Sequence, residues 1–220
     1  MALHEQYLAN LRRFPLGLWI RLIDVNQDIE ELLRIERACF SERMSESREF
    51  FFEYSTDPDS VGFLLFEEAA CVGYMMGTRI NDDNSPEIFA KYPEIEKNKE
   101  KIFYLESISI LPEHRSPIIF DFALQETAVL CKKLGYTSVA GHAIKKRGYS
   151  RLLQRRYGAK VLHTYDDWHD YNEKFDYVYF EQENLYTLSD FERGIFQLLR
   201  RLRWSLQAAR NRFKALISRP

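Results

Sequence analysis

Cysteine is scarce in this sequence. The 220 residues hold three, Cys39, Cys71 and Cys131, each inside an apolar run. No Cys-x-x-Cys pair and no Cys/His cluster occurs, so neither a zinc site nor a disulfide framework is expected, and a reducing, cytosolic setting fits best. The histidines His114, His142, His163 and His169 share no catalytic or metal-ligating spacing. No apolar run is long enough to span a bilayer. The opening MALHEQYLANLRRF lacks the uninterrupted apolar segment of a signal peptide. A Ser nucleophile elbow and a Walker loop are both missing, which speaks against serine hydrolases and P-loop NTPases. No tandem repeat or low-complexity tract stands out.

A chain of 220 residues suits one domain with an appendage and buries a sizeable core. The expected division is 1–187 for the domain and 188–220 for the appendage. The formal charge of −2 is unevenly placed. From Ser189 to Pro220 eight Lys/Arg face two Asp/Glu, a net +6, which leaves −8 on the rest. An acidic body argues against nucleic-acid binding by the domain.

The chain is organised around Ile102 to Leu134. Ile102 to Leu111 is apolar and β-branched with one polar interruption at Glu106, the pattern of a strand buried on at least one face. Pro112-Glu113-His114-Arg115 breaks it. Ser116-Pro117 then reads as N-cap and first helical residue, and Gly135 as the stop. A strand, a turn and a helix of this kind aim free N–H groups and a positive dipole end at one place, where an anion fits, and Arg115 adds a cation beside it. Glu106 is open to two readings. Burial in an apolar strand would raise its pKa and suit a general base, whereas simple alternation turns it to solvent.

Around that stretch, Leu18 to Ile23 predicts a strand, Asp28 to Phe40 an amphipathic helix, and Met44 to Tyr54 a second helix rich in Phe. Val61 to Phe66 and Cys71 to Arg79 predict a hairpin. Asn81 to Lys101 is polar and charged with two prolines, and reads either as a wall near the cleft or as a solvated loop. Thr137 to Ile144 predicts a strand, Tyr149 to Tyr157 a short helix closed by Gly158, and Lys160 to Tyr165 and Phe175 to Glu181 the last strands. Met1 to Phe14 suits a short leading helix.

Leu105-Glu106-Ser107-Ile108-Ser109-Ile110-Leu111-Pro112-Glu113-His114-Arg115 resembles the fourth strand and following turn of the GCN5-related N-acetyltransferase (GNAT) superfamily, and Val72-Gly73-Tyr74 resembles its third strand. The family's order is strand, two helices, three strands, helix, strand, helix, two strands. It overlays Leu18 to Glu181. The resemblance implies an α/β (α+β) fold with a GNAT-like central mixed, mostly antiparallel sheet of about seven strands flanked by helices. It implies an N-acyltransferase that moves an acetyl or longer acyl group from acetyl-CoA or another acyl-CoA to a small-molecule or peptide amine. The donor site would comprise Ile108, Ser109 and Ile110 on the strand with Arg115, Ser116, Ile118, Ile119 and Phe120 in the turn and helix start. The oxyanion donor would be the N–H of Ile108 or Ser109, and the general base Glu106.

Two departures accompany the likeness. The family's cradle glycines fall on Ile118 and Phe120, where a Cβ obstructs close approach to phosphate, and Pro117 removes one donor. The Tyr that protonates the leaving thiolate in many members falls on Gln154, so Tyr149 is the candidate acid, with Tyr157 behind it. An acyl-carrier-protein donor and a non-catalytic interaction scaffold are the alternatives these departures raise.

Ser189 to Arg219 has Phe191, Ile195, Leu198, Leu202, Leu206 and Phe213 among others on one helical face and arginines on its flanks. This long C-terminal basic amphipathic helix has three candidate occupants for its apolar face: the domain or a second copy in a homodimer, an anionic membrane surface, and, least of all, RNA.

Overall fold

The computed structural model describes residues 17–169 and 171–186. The helices foreseen over Met1–Phe14 and Ser189–Arg219 lie outside that range.

Seven strands form one sheet: β1 (Leu18–Leu22), β2 (Val61–Glu67), β3 (Ala70–Arg79), β4 (Ile102–Ile110), β5 (Ser138–Ile144), β6 (Lys160–Tyr165) and β7 (Phe175–Glu181). Their order is β1-β2-β3-β4-β5-β7-β6. Every pairing is antiparallel except β4 with β5. A parallel neighbour needs a long crossover. That crossover is the helix α5 (Pro117–Leu134).

Between β1 and β2 lie α1 (Val25–Cys39) and α2 (Arg48–Thr56). The first begins three residues earlier than the periodicity suggests, because the Asp24 side chain accepts from the Asn26 N–H and caps it. The second begins four residues later, where the Ser47 side chain accepts from the Phe50 N–H. Ile29, Leu32, Leu33 and Phe51 of these helices pack on Leu64, Tyr74 and Met76 of β2 and β3.

The segment Asn81–Lys101 is not a solvated loop. It folds into α3 (Pro86–Lys91), α4 (Pro93–Lys97) and a turn, each helix opening on a proline whose missing N–H belongs to an unpaired set. Ile88, Phe89 and Ile95 are buried, packing with Tyr104 and Tyr177. Three apolar anchors among many charges were enough to fasten a segment whose composition reads as surface.

Alternation sends Phe103 the other way, into contact with Tyr136 at the end of α5, ring centroids 5.4 Å apart. The Ser116 side chain caps α5 by accepting from Ile119 N–H, and Gly135 ends it at φ 85°, both as the residues foretold. α6 (Tyr149–Tyr157) follows β5 and packs against β5, β6 and β7.

Candidate functional site

The site begins where two strands stop pairing. β4 and β5 are in register only from Ile102↔Ser138 to Leu105↔Gly141, although β4 continues to Ile110 and β5 to Ile144. Gly141 lets the strands meet at that last pair, since a Cβ there would stand 2.7 Å from the Leu105 carbonyl oxygen. Beyond it the strands part, and the gap opens into a cavity of about 500 Å³ with lining residues from both.

A bulge sits at the same level. On β3, Met76 faces Ser107 and Gly77 faces Leu105, so Glu106 is the extra residue. A bulge breaks simple alternation and re-aims a side chain. Glu106 lines the cavity at this irregularity, together with Tyr104, Leu105, Ser107 and Ile108.

The same geometry fixes which strand amides face the gap. The Leu111 N–H donates to the Val72 carbonyl at 2.9 Å. Counting back by twos, the amides of Ser109 and Ser107 face β3, and those of Ile108 and Ile110 face away from it. On that outer side the Ile110 carbonyl accepts from Arg115 Nε at 3.0 Å and from Cys39 Sγ at 3.3 Å. Ile108 lines the cavity, with its N–H turned into the gap.

Three carboxylates, Glu36, Glu46 and Glu106, line the cavity. Burial, and then the charge of Glu46, push Glu106 up to about 7. Burial, and then Glu36, push Glu46 to about 7 as well. Glu36, on α1, is raised chiefly by burial, while hydrogen bonds oppose that shift: it accepts from the Tyr74 hydroxyl at 2.5 Å and the Glu46 N–H at 2.7 Å. The side chains of Glu46 and Glu106 have no hydrogen-bond or ion-pair partner among the described residues. Tyr54, Trp168 and Tyr171 complete the walls. The Tyr171 hydroxyl is raised by burial and then by the charges of Glu46, Glu106 and Glu36.

Two buried polar atoms here lack a partner among the described residues, Tyr54 Oη and His142 Nε2. His142 Nδ1 lies 2.7 Å from the Tyr104 hydroxyl, and its ring stacks on Trp168 at 3.8 Å. Burial, then His169 and His163, hold it down to about 3, so it is neutral. An unpaired polar atom in a low-dielectric cavity costs about 1–3 kcal/mol unless a ligand meets it.

The opposite side is formed by the helix starts. Of the first amides of α5, Pro117 has none, Ile119 N–H is taken by Ser116 Oγ at 3.2 Å, and Phe120 N–H by the Ser116 carbonyl at 3.1 Å. Ile118 N–H is what remains for an anion. Ile119 and Phe120 are buried, and the Phe120 ring stacks on Tyr149. Arg115 follows β4, and Arg147 follows β5. Arg147 donates to the Cys39 carbonyl at 2.8 Å with its guanidinium 5.0 Å from the Phe40 ring centre. Burial, then the nearby Arg115, hold its pKa down. Two guanidinium groups thus stand near each other and near Cys39, and of the two Arg147 lines the cavity.

The cavity brings together Glu106, Ile108, Phe120 and Tyr149. Ser109 is buried behind them, its hydroxyl 2.9 Å from that of Ser107. Tyr157 is turned away and donates to Asp121 Oδ1 at 2.5 Å, and Gln154 is exposed. The residues alone did not single out Glu36, Glu46, Tyr54, His142, Arg147 or Tyr171. One signal was legible: Ile29, Leu32, Leu33 and Glu36 share a helical stripe, which puts a carboxylate on the apolar face of α1.

No family model matches this sequence, and no curated protein matches it in sequence. Solved structures match it in fold. The ribosomal-protein-S18-alanine N-acetyltransferase from Escherichia coli aligns at TM-score 0.56 and 12% identity, over 74% of this chain and 93% of that one. Arabidopsis thaliana NAA60 in complex with acetyl-CoA aligns at TM-score 0.59 and 14% identity, over 74% and 98%. A GNAT-family acetyltransferase structure from Desulfovibrio desulfuricans aligns at TM-score 0.58 and 13% identity, over 75% and 99%. The chain has the fold of the GNAT acetyltransferases, and at these identities the likeness is one of fold.

Proposed function

We propose that this chain is an N-acyltransferase that moves an acyl group from an acyl-CoA to an amine by direct attack of the amine on the thioester. The observation that carries the reading is the gap after Leu105↔Gly141, with a bulged carboxylate on one side and an unpaired strand amide within it. The similar fold of NAA60, solved with acetyl-CoA, supports the choice of donor.

The residues divide the chemistry as follows. Glu106, poised at about 7, takes a proton from the acceptor's ammonium so that the nitrogen lone pair can bond to the thioester carbon. Ile108 N–H faces the carbonyl oxygen and stabilises the negative charge that gathers there. Tyr149 supplies a proton to the sulfur as the C–S bond breaks. Phe120, Leu124, Leu153 and Val178 give apolar walls to an acyl-bearing arm. Arg115, Arg147 and Ile118 N–H take the place of a glycine cradle for its phosphates.

Two measurements test this. Calorimetric titration with acetyl-CoA and longer acyl-CoAs should give saturable heat, and free thiol should appear when an amine is added. Absence of heat with every acyl-CoA overturns the reading.

A second reading keeps the fold and the gap but takes the acyl group from an acyl carrier protein. The helix start favours it. With one free amide left at α5, the cradle suits the single phosphodiester of a carrier-borne arm better than a pyrophosphate. Failure to form a complex with acylated carrier protein dismisses it.

A further inference from the structure

The negative charge in the cavity is spread out, and two of its carboxylates, Glu46 and Glu106, have no side-chain partner among the described residues. Glu36, Glu46 and Glu106 reach it from α1, from the loop after α1 and from β4. No three acidic or histidine side chains among the described residues come close enough together to hold one metal ion. All three nevertheless line the one cavity, where the charge of Glu46 bears on Glu106 and that of Glu36 on Glu46. Arg147 is the one Lys or Arg among the described lining residues, and its guanidinium is engaged by Cys39 and Phe40.

The carboxylates of Glu36 and Glu46 differ in a telling way. Glu36 is fully bonded, and its work is to hold the loop by accepting the Glu46 N–H. Glu46 itself has no partner for its side chain among the described residues, and neither has Glu106. The surfaces between them are aromatic, from Tyr54, Tyr104 and Tyr171, and two residues of the same walls carry buried polar atoms with no partner among the described residues, Tyr54 Oη and His142 Nε2. A point cation does not answer this arrangement. Two ammonium groups joined by methylenes do: one charge for each free carboxylate, and apolar carbon against the rings.

We propose that Glu46 holds a second cationic nitrogen of the acceptor, so that the preferred acceptor is an aliphatic diamine or longer polyamine rather than a monoamine or a peptide amino terminus. This rests on the amine-acceptor reading above and names the substrate class of that site. Glu46 is then a specificity residue. It selects the acceptor while Glu106 serves the reacting nitrogen.

Binding is measured by calorimetry on the full chain with no donor present, using 1,4-diaminobutane against butylamine. The diamine should bind at least about tenfold more tightly, the size of one charged hydrogen-bonded contact. Glu46→Gln should bring the diamine down to the level of butylamine and leave the acetyl-CoA titration unchanged. A readout on the unaltered chain guards against a misfolded variant. Near neutral pH a bound dication should drive protons off Glu46 and Glu106, so the diamine heat should vary with the ionisation heat of the buffer. The groups facing this pair are Glu36 on α1, Tyr54 on α2, Tyr104 on β4, His142 on β5, His169 and Tyr171 before β7, and Arg147. Of these, His142 stays neutral, and the tyrosines Tyr54 and Tyr171 are raised by burial, away from neutral pH.

Equal affinity for the two amines, no heat with either, or a diamine preference that survives Glu46→Gln overturns the proposal. A missing acyl-CoA titration would instead count against the acyltransferase reading, since the amine comparison needs no donor.

Discussion

The rings of Phe120 and Tyr149 stack with centroids 4.9 Å apart and planes 16° from parallel, joining the first turn of α5 to the first turn of α6. A stacked pair of this kind adds to the area it buries and fixes both rings. The Tyr149 ring is thereby held in the cavity wall, and in the proposed reaction its hydroxyl gives a proton to the departing sulfur. Tyr149→Phe keeps the ring and removes that hydroxyl. It should lower kcat by about 10²-fold and leave the acyl-CoA KM unchanged. Phe120→Ala removes a wall instead, so KM should rise and stability fall by about 3 kcal/mol. Steady-state kinetics and thermal melts separate the two. An unaltered kcat in Tyr149→Phe removes Tyr149 from the chemistry.

Glu106 and Glu46 set the pH response of the proposed reaction. A base at about 7 must be ionised to act, so kcat/KM should climb with pH through neutrality and flatten above it. Part of that position comes from Glu46, whose negative charge disfavours a second one beside it. Glu46→Gln removes the charge, so the rising limb should move to lower pH. Glu106→Gln should abolish the limb and most of the rate. A limb that stays in place in Glu46→Gln would show that the two carboxylates do not share a space.

How much of this was legible follows from the range of each interaction. Ser116, Pro117 and Gly135 act within one turn of their own positions, and the helix they bound appears where they put it. Tyr149 to Tyr157 was equally readable, because Gly158 closes it. The bulge at Glu106 was not readable. It arises from a mismatch between β3 and β4, and no residue in Leu105–Ser107 announces it. Glu46 joins Glu106 only because Glu36, ten residues earlier, ties down the intervening loop through the Glu46 N–H. α3 and α4 were hidden for a simpler reason. Their charged residues dominate the composition, and the three anchors that fix them find their partners on β4 and β7.

The carboxylates that serve the site should weaken the fold above neutral pH. Glu106 titrates at about 7 when folded against an ordinary 4.5. Between those values the folded state keeps a proton that the unfolded state has lost, so stability declines as pH rises and the full penalty applies above about 7. Glutamine has no proton to lose. Glu106→Gln should therefore stabilise the chain at pH about 8 by on the order of 2 kcal/mol, discounted for partial solvent access, or roughly 4–8 °C in Tm. At pH about 4.5 the melting temperatures should converge. Scanning calorimetry at the two pH values checks this, and an equal gain at both would assign the effect to packing rather than to ionisation.

Gly141 decides where the gap begins. A Cβ at this position would lie 2.7 Å from the Leu105 carbonyl oxygen and 3.4 Å from Leu105 Cβ. Backbone cannot yield there without moving β4 away from β5. Gly141→Val supplies a residue with strong strand preference, yet it should cost about 1–3 kcal/mol through overpacking and begin the separation before Leu105. That would shift the Ile108 amide against Glu106 and lower kcat along with stability. Gly135→Ala is the matched comparison. It stands at φ 85° with nothing within 4 Å of an added Cβ, so it is strained by its backbone and touches no part of the gap. It should lose about 1 kcal/mol and keep kcat. If both variants lose stability and neither loses rate at a temperature where they are folded, the position of the vertex does not govern the chemistry.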